Sequence, residues 1–181
     1  MTNTNTPAGN ISAAPRYKAR WLTVCGFLMA MNTVLSSFNI PVPGGHFYLN
    51  DVIIVAAALS LDPLGAFLVG GVGAFLGDFF FYPLPMFVSL ATHGLEAVVI
   101  SLFALRYGMK NLLLTFFGVF LGALIVVIGY SLGRAYVYST PEYSLIKLPF
   151  EILQAGIGAI LGAFIWKNRN MGDIIRKIIS K

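Results

Sequence analysis

Apolar runs of membrane-spanning length fill most of this chain, and they leave few folds open to it. A bilayer-crossing helix needs about 20 predominantly apolar residues. Six such segments can be marked: Trp21 to Phe38, a shorter Val52 to Leu61, a glycine-rich run after Asp62-Pro63 reaching Phe81, Met86 to Leu105, Leu112 to Val137, and a last run opened by Pro149 and ending at Trp166. The fold class expected is all-α, a polytopic bundle of six transmembrane helices. The second span is too short to cross except obliquely or incompletely. With 57% hydrophobic and 10% charged residues and a mean hydropathy of +0.81, the composition lies outside the soluble range. A chain of 181 residues also has no room for a soluble catalytic domain.

The net charge of +5 does not imply nucleic acid, because the basic residues punctuate the gaps between apolar runs. They report topology. Arg16, Lys18 and Arg20 precede the first run, Arg106 and Lys110 follow the fourth, and five more lie from Lys167 onward, whereas the opposite loops hold only Lys147. The positive-inside rule then puts both termini in the cytoplasm, with the loops after spans one, three and five outside. Residues 1–15 read as a disordered polar tail, residues 16–168 as the membrane domain, and residues 169–181 as a basic amphipathic segment lying on the membrane surface, with Ile174, Ile175, Ile178 and Ile179 at helical spacing.

Small residues recur four apart at Gly73/Gly77, Gly118/Gly122, Gly129/Gly133 and Gly158/Gly162, a spacing that lets helix backbones approach closely within a bundle. Gly26 and Ala30 form a related pair on the first span, toward its cytoplasmic half, where they either pack internally or dock a partner helix. The lone Cys25 reads as a small buried apolar residue; it excludes an intrachain disulfide and lacks metal-site spacing.

Ionisable side chains inside the spans carry the functional signal, since each costs about 2.5 to 3.5 kcal/mol near the bilayer centre unless it faces a protein-lined chamber. Asp78, His93, Arg134 and Glu151 fall on four different spans toward the outer side, Gln154 lies one turn below Glu151, and Glu96 shares a helix face with His93 and is deepest. His46, Tyr48, Asn50 and Tyr82 adjoin the same side. Tyr130 and Tyr136 stand in the outer half of the fifth span and could stack on a flat ligand. The expected site is an outward-opening pocket. Duller readings exist for three of them: Glu151 favours the N-terminus of the sixth span, Arg134 snorkels, and Asp78 pairs with Arg134 structurally; at the start of the second span Asn50 could cap the helix while Asp51 meets its dipole. No HExxH, GxSxG or Walker A sequence is present, and no carboxylate-rich helix pair for a metal. An enzyme, a catalytic residue, a cofactor or a metal is therefore not expected. The spans also lack two similar halves with interrupted helices, so movement of a ligand needs an external power source.

Three stretches, Pro43-Gly-Gly-His-Phe-Tyr-Leu-Asn-Asp51, Asp62-Pro-Leu-Gly-Ala-Phe-Leu-Val-Gly-Gly-Val-Gly-Ala-Phe-Leu-Gly-Asp78 and His93-Gly-Leu-Glu96, resemble the substrate-binding S components of energy-coupling factor (ECF) vitamin transporters. Over roughly residues 20–167 the chain looks most like the group for riboflavin, pyridoxine or hydroxymethylpyrimidine. The resemblance implies a multi-pass subunit of a prokaryotic cell membrane that captures a vitamin from outside under a first-loop lid and then topples to release it inside. Its implied partners are the membrane lipid, a transmembrane coupling subunit docked on Gly26 and Ala30, and two cytoplasmic ATPases. The compact, mostly ionisable polar set favours a B6 vitamer such as pyridoxine, then hydroxymethylpyrimidine. The alternatives are a riboflavin-binding S component, a proton-coupled carrier relaying through His93 and Glu96, and a scaffold whose polar residues only lock helices together.

Overall fold

The structure is a computed structural model and describes residues 19–168 and 171–180. The expected tail over residues 1–15 lies outside the described residues. Helix α1 (Ala19–Ser36) leads into a hairpin of β1 (Asn39–Val42) and β2 (Gly45–Tyr48), followed by α2 (Asp51–Ala58), α3 (Pro63–Phe81), α4 (Met86–Arg106), α5 (Leu112–Tyr138), α6 (Pro141–Asn168) and α7 (Met171–Ser180). Helices α3 to α6 are long and apolar enough to cross a membrane; α1, at 18 residues, and α2, at 8, are not among those four.

Close glycine contacts set the helix order. A Cβ on Gly118, Gly122, Gly129 or Gly133 of α5 would strike Phe103, Ile100, Thr92 or Val88 of α4, a descending series that fixes the two as an antiparallel pair. Gly158 and Gly162 of α6 meet Asp51 and Val55 of α2 in ascending order, so these run parallel. Gly73 and Gly77 of α3 are filled by Asn32 and Ser36 of α1 in the same sense. All four glycine pairs of the sequence thus serve internal packing, where missing side chains let backbones touch. Gly26 differs: a Cβ there would meet nothing within 4 Å, and Ala30 is exposed.

Helix α3 contains a π turn at Leu68–Val72, which displaces carbonyls from the regular ladder. Asn32 Nδ2 donates to the carbonyl of Val69 at 2.6 Å and reaches that of Gly70 at 3.5 Å, so α1 satisfies what the turn releases. The main core below it joins Ile54, Val55, Leu59, Ala97, Ile100, Val119 and Trp166; a second cluster sets Trp21, Cys25 and Leu28 of α1 against Val69 and Ile175. Ile175 of the amphipathic α7 is buried on the protein, while Ile174 and Ile178 remain exposed.

Several sequence expectations are corrected. The chain is not wholly helical, since the Pro41-to-Tyr48 break closes as an antiparallel hairpin in the register Asn39 to Tyr48 and Val42 to Gly45. Gly44, at φ 81°, makes its turn. Pro149 does not open the last long helix, which starts at Pro141 and carries Pro149 inside it. Pro141 fits the first turn, where no N–H is needed, and Ser144 Oγ ties that turn to the carbonyl of Ser131 on α5 at 2.8 Å. Asn50 does not cap α2 with its side chain; its Nδ2 donates to Asn32 Oδ1 at 3.1 Å.

Candidate functional site

The hairpin roofs a cavity of about 670 Å³, counting its mouth, between the C-terminal ends of α3 and α5 and the N-terminal halves of α4 and α6. His46 and Tyr48 come from β2, Asn50 from the start of α2, Asp78 and Tyr82 from the end of α3, His93 from α4, Tyr130 and Arg134 from α5, and Glu151 and Gln154 from α6; all line it. Of the residues expected to bind, Tyr136 and Glu96 do not line it. Glu96 lies beneath His93, whose Nδ1 is 2.8 Å from Glu96 Oε2, so it orients the ring rather than facing the cavity.

Three polar networks shape the walls. In the first, Arg134 Nη1 donates to Glu151 Oε2 at 3.1 Å, and Lys147 Nζ stands 3.5 Å from the same oxygen. The Arg134 guanidinium also lies 5.7 Å from the centre of the Tyr138 ring. A π turn over Arg134–Tyr138 forms this end of α5. In the second, Ser89 Oγ donates to Asp78 Oδ2, which leaves the Tyr130 hydroxyl to donate to Ser89 Oγ at 2.6 Å.

The third runs from the floor to the roof. His93 Nε2 is 3.6 Å from Asp51 Oδ1, an ion-pair separation too long for a hydrogen bond. Gln154 Nε2 donates to Asp51 Oδ2 at 3.2 Å, and the backbone N–H of Tyr48 donates to Gln154 Oε1 at 3.0 Å. Glu96, His93, Asp51 and Gln154 therefore connect mid-bundle to the hairpin. Gly44 completes the docking, since a Cβ there would press on Lys147 Cβ and the carbonyl of Tyr143 at 2.9 Å.

Buried polar atoms are normally paired, so the exceptions are informative. On the cavity's roof, His46 Nδ1 and Tyr48 Oη are buried without a partner among the described residues. Burial, then the Asp78 carboxylate, pushes the Tyr48 phenol above its ordinary pKa, so it stays a donor. The His46 ring packs edge-on to Tyr82 with centroids 5.1 Å apart. Roof and wall together offer aromatic faces, free donors and fixed charges, which suits a flat, polar-edged ligand. Among the described residues no cluster of His, Cys, Asp and Glu could hold a metal ion.

Sequence reasoning missed Asp51, Lys147, Tyr138 and Ser89, and misplaced Tyr136. Tyr136 is 79% exposed, because a residue two positions from the inward-facing Arg134 points to the far side of the helix. The stripe Tyr130, Arg134, Tyr138 at spacing four carried the correct signal, as did Lys147, Glu151 and Gln154 on α6. Lys147 reads as a loop residue only when Pro149 is assigned as the helix start.

Comparison with individual curated proteins gives no match. The family model described as "ECF-type riboflavin transporter, S component" matches residues 16–170. With most of its length covered by that match, and with long apolar helices enclosing a polar cavity, this chain belongs to the S components of ECF-type riboflavin transporters, multi-pass membrane subunits that bind substrate and catalyse no reaction.

Proposed function

We propose that this subunit captures riboflavin from outside the cell and passes it inward with an ECF module of one coupling subunit and two ATPases. The observation that carries the reading is the roofed cavity, into which five elements turn ionisable or aromatic side chains while their outer faces stay apolar. Tyr82, Tyr130, Tyr138 and His46 supply ring faces for an isoalloxazine. Arg134, Lys147 and Asp78 supply charged partners for ring carbonyls and ribityl hydroxyls. The family description favours riboflavin over the pyridoxine and hydroxymethylpyrimidine expected from the charge of the site. A B6 vitamer is the second reading, favoured by the mostly ionisable wall, which suits a compact hydroxylated ring.

The remaining assignments follow from the same reading. Residues 16–168 form the binding unit; α1 and α2 complete six membrane segments, and both termini face the cytoplasm of a prokaryotic cell, as the lysine and arginine distribution supports. Gly26 and Ala30, on the open side of α1, dock the coupling subunit. Binding residues are those on the cavity wall, with Glu96 acting through His93.

Titration of the purified subunit with riboflavin, following loss of flavin fluorescence, tests the cargo; pyridoxine and hydroxymethylpyrimidine serve as competitors. Saturable nanomolar binding of riboflavin without partners is expected. Saturable binding of pyridoxine alone would refute it. Uptake into liposomes driven by a pH gradient, without ATPases, would instead favour the carrier that relays through His93 and Glu96.

A further inference from the structure

At the end of the bundle opposite the cavity, a second pocket of about 810 Å³, counting its open side, lies between the α4–α5 turn, the end of α6 and the start of α7. Arg106 and Lys110 border it, both exposed, and among the described residues Asp173 is the one carboxylate in its lining. Trp166 closes its inner wall. That side chain is only 5% exposed, and its indole N–H borders the pocket. Its nitrogen faces Gly172, where a Cβ would stand 3.2 Å away. An N–H donor lining a pocket beside two cations suits an anionic acceptor.

One turn along α6 from Trp166, an apolar groove begins at Ala163 and Phe116 and runs between α5 and α6 to Ile152. From Ala163 to Ile152 the rise is about 16 Å at 1.5 Å per residue, close to the hydrocarbon thickness of one leaflet, about 15 Å. Its floor is kept low by Ala155, Gly156 and Ala159. A Cβ on Gly156 would meet nothing within 4 Å.

From these observations we propose that the two depressions form one binding site for an anionic phospholipid. The phosphate sits against Arg106, Lys110 and the Trp166 N–H, and one acyl chain lies in the α5–α6 groove. Two cations against one carboxylate favour an anionic headgroup over a zwitterionic one. Asp173 suits a headgroup with hydroxyls to donate, of which phosphatidylglycerol is the simplest.

Native mass spectrometry of the full chain, exchanged into micelles with phosphatidylglycerol, phosphatidylethanolamine or phosphatidylcholine, reads the occupancy directly. One retained phosphatidylglycerol per protein is expected. R106Q/K110Q, which alters only exposed side chains, should weaken retention about fivefold for each charge removed. G156L, whose Cβ would meet nothing within 4 Å, narrows the groove and should weaken it several-fold while leaving Arg106 and Lys110 in place. Equal retention of all three lipids, displacement by inorganic phosphate at concentrations that compete with the lipid, or a second copy of the chain occupying the groove would each overturn the proposal.

Discussion

Glu151 is the acceptor on which two buried cations depend, and its neutralisation tests the reading of the cavity most sharply. The carboxylate is 2% exposed, with Arg134 Nη1 at 3.1 Å and Lys147 Nζ at 3.5 Å. Glu151→Gln keeps the shape and one oxygen but removes the charge, leaving two cations at 7% and 1% exposure without a counterion. Removing one partner of a buried pair costs about 3 to 5 kcal/mol. Both cations border a cavity that admits water, so the lower end, about 3 kcal/mol, is expected. The cost falls on the subunit itself and should appear as a large drop in melting temperature in detergent without vitamin. Adding Lys147→Met removes one orphaned cation, and the double variant should recover part of the loss, a coupling that a double-mutant cycle measures. If Glu151→Gln melts within the error of the wild type, or the double variant is destabilised by the sum of the singles, the ion-pair account of this wall is wrong.

The unpartnered Tyr48 hydroxyl should make Tyr48→Phe weaken vitamin binding about 5- to 10-fold while leaving thermal stability unchanged, since a donor unpaired in the free protein contributes about 1 kcal/mol only when ligand pairs it; calorimetric titration and melting read the two effects separately. His93→Ala should reduce affinity at least tenfold and Glu96→Gln only a few-fold, because the glutamate acts through the ring; equal losses in binding titrations would place Glu96 on the cavity wall. Tyr136→Ala should leave binding unchanged and Tyr138→Ala should impair it, a contrast that checks which face of the π turn points inward. Gly122→Leu should prevent folded accumulation in the membrane, because its side chain would occupy the place of Ile100; normal expression with a wild-type melting curve would contradict the α4–α5 packing.

How far the site could be read ahead depended on the kind of signal each residue gave. Asp78, His93, Arg134 and Glu151 stood out because charge in an apolar run is costly, and the structure gathers all four around one cavity. Asp51 gave no sign of a place in the site because a carboxylate at a helix start has an ordinary explanation in the helix dipole. Only the parallel packing of α2 on α6 shows it buried between His93 and Gln154. Lys147 was hidden by a proline: Pro149 resembles a helix start, yet a helix already running from Pro141 carries it. The hairpin was legible as a break with glycine and proline, but its pairing depends on docking over Lys147 and Gln154, contacts more than 100 residues away in the chain.

The sequence by itself determined the environment and the economy of the fold: apolar runs demand bilayer helices, glycines at spacing four demand close helix contacts, and stranded charges demand a shared chamber. Those are local costs, fixed by residue type and spacing before any chain folds. Tertiary structure alone decided which charge meets which, that Glu96 stands behind His93, that Tyr138 and not Tyr136 faces inward, and that the roof leaves His46 and Tyr48 unpaired. Such choices depend on relative helix rotation and depth, which arise from many weak packing contacts summed across distant segments.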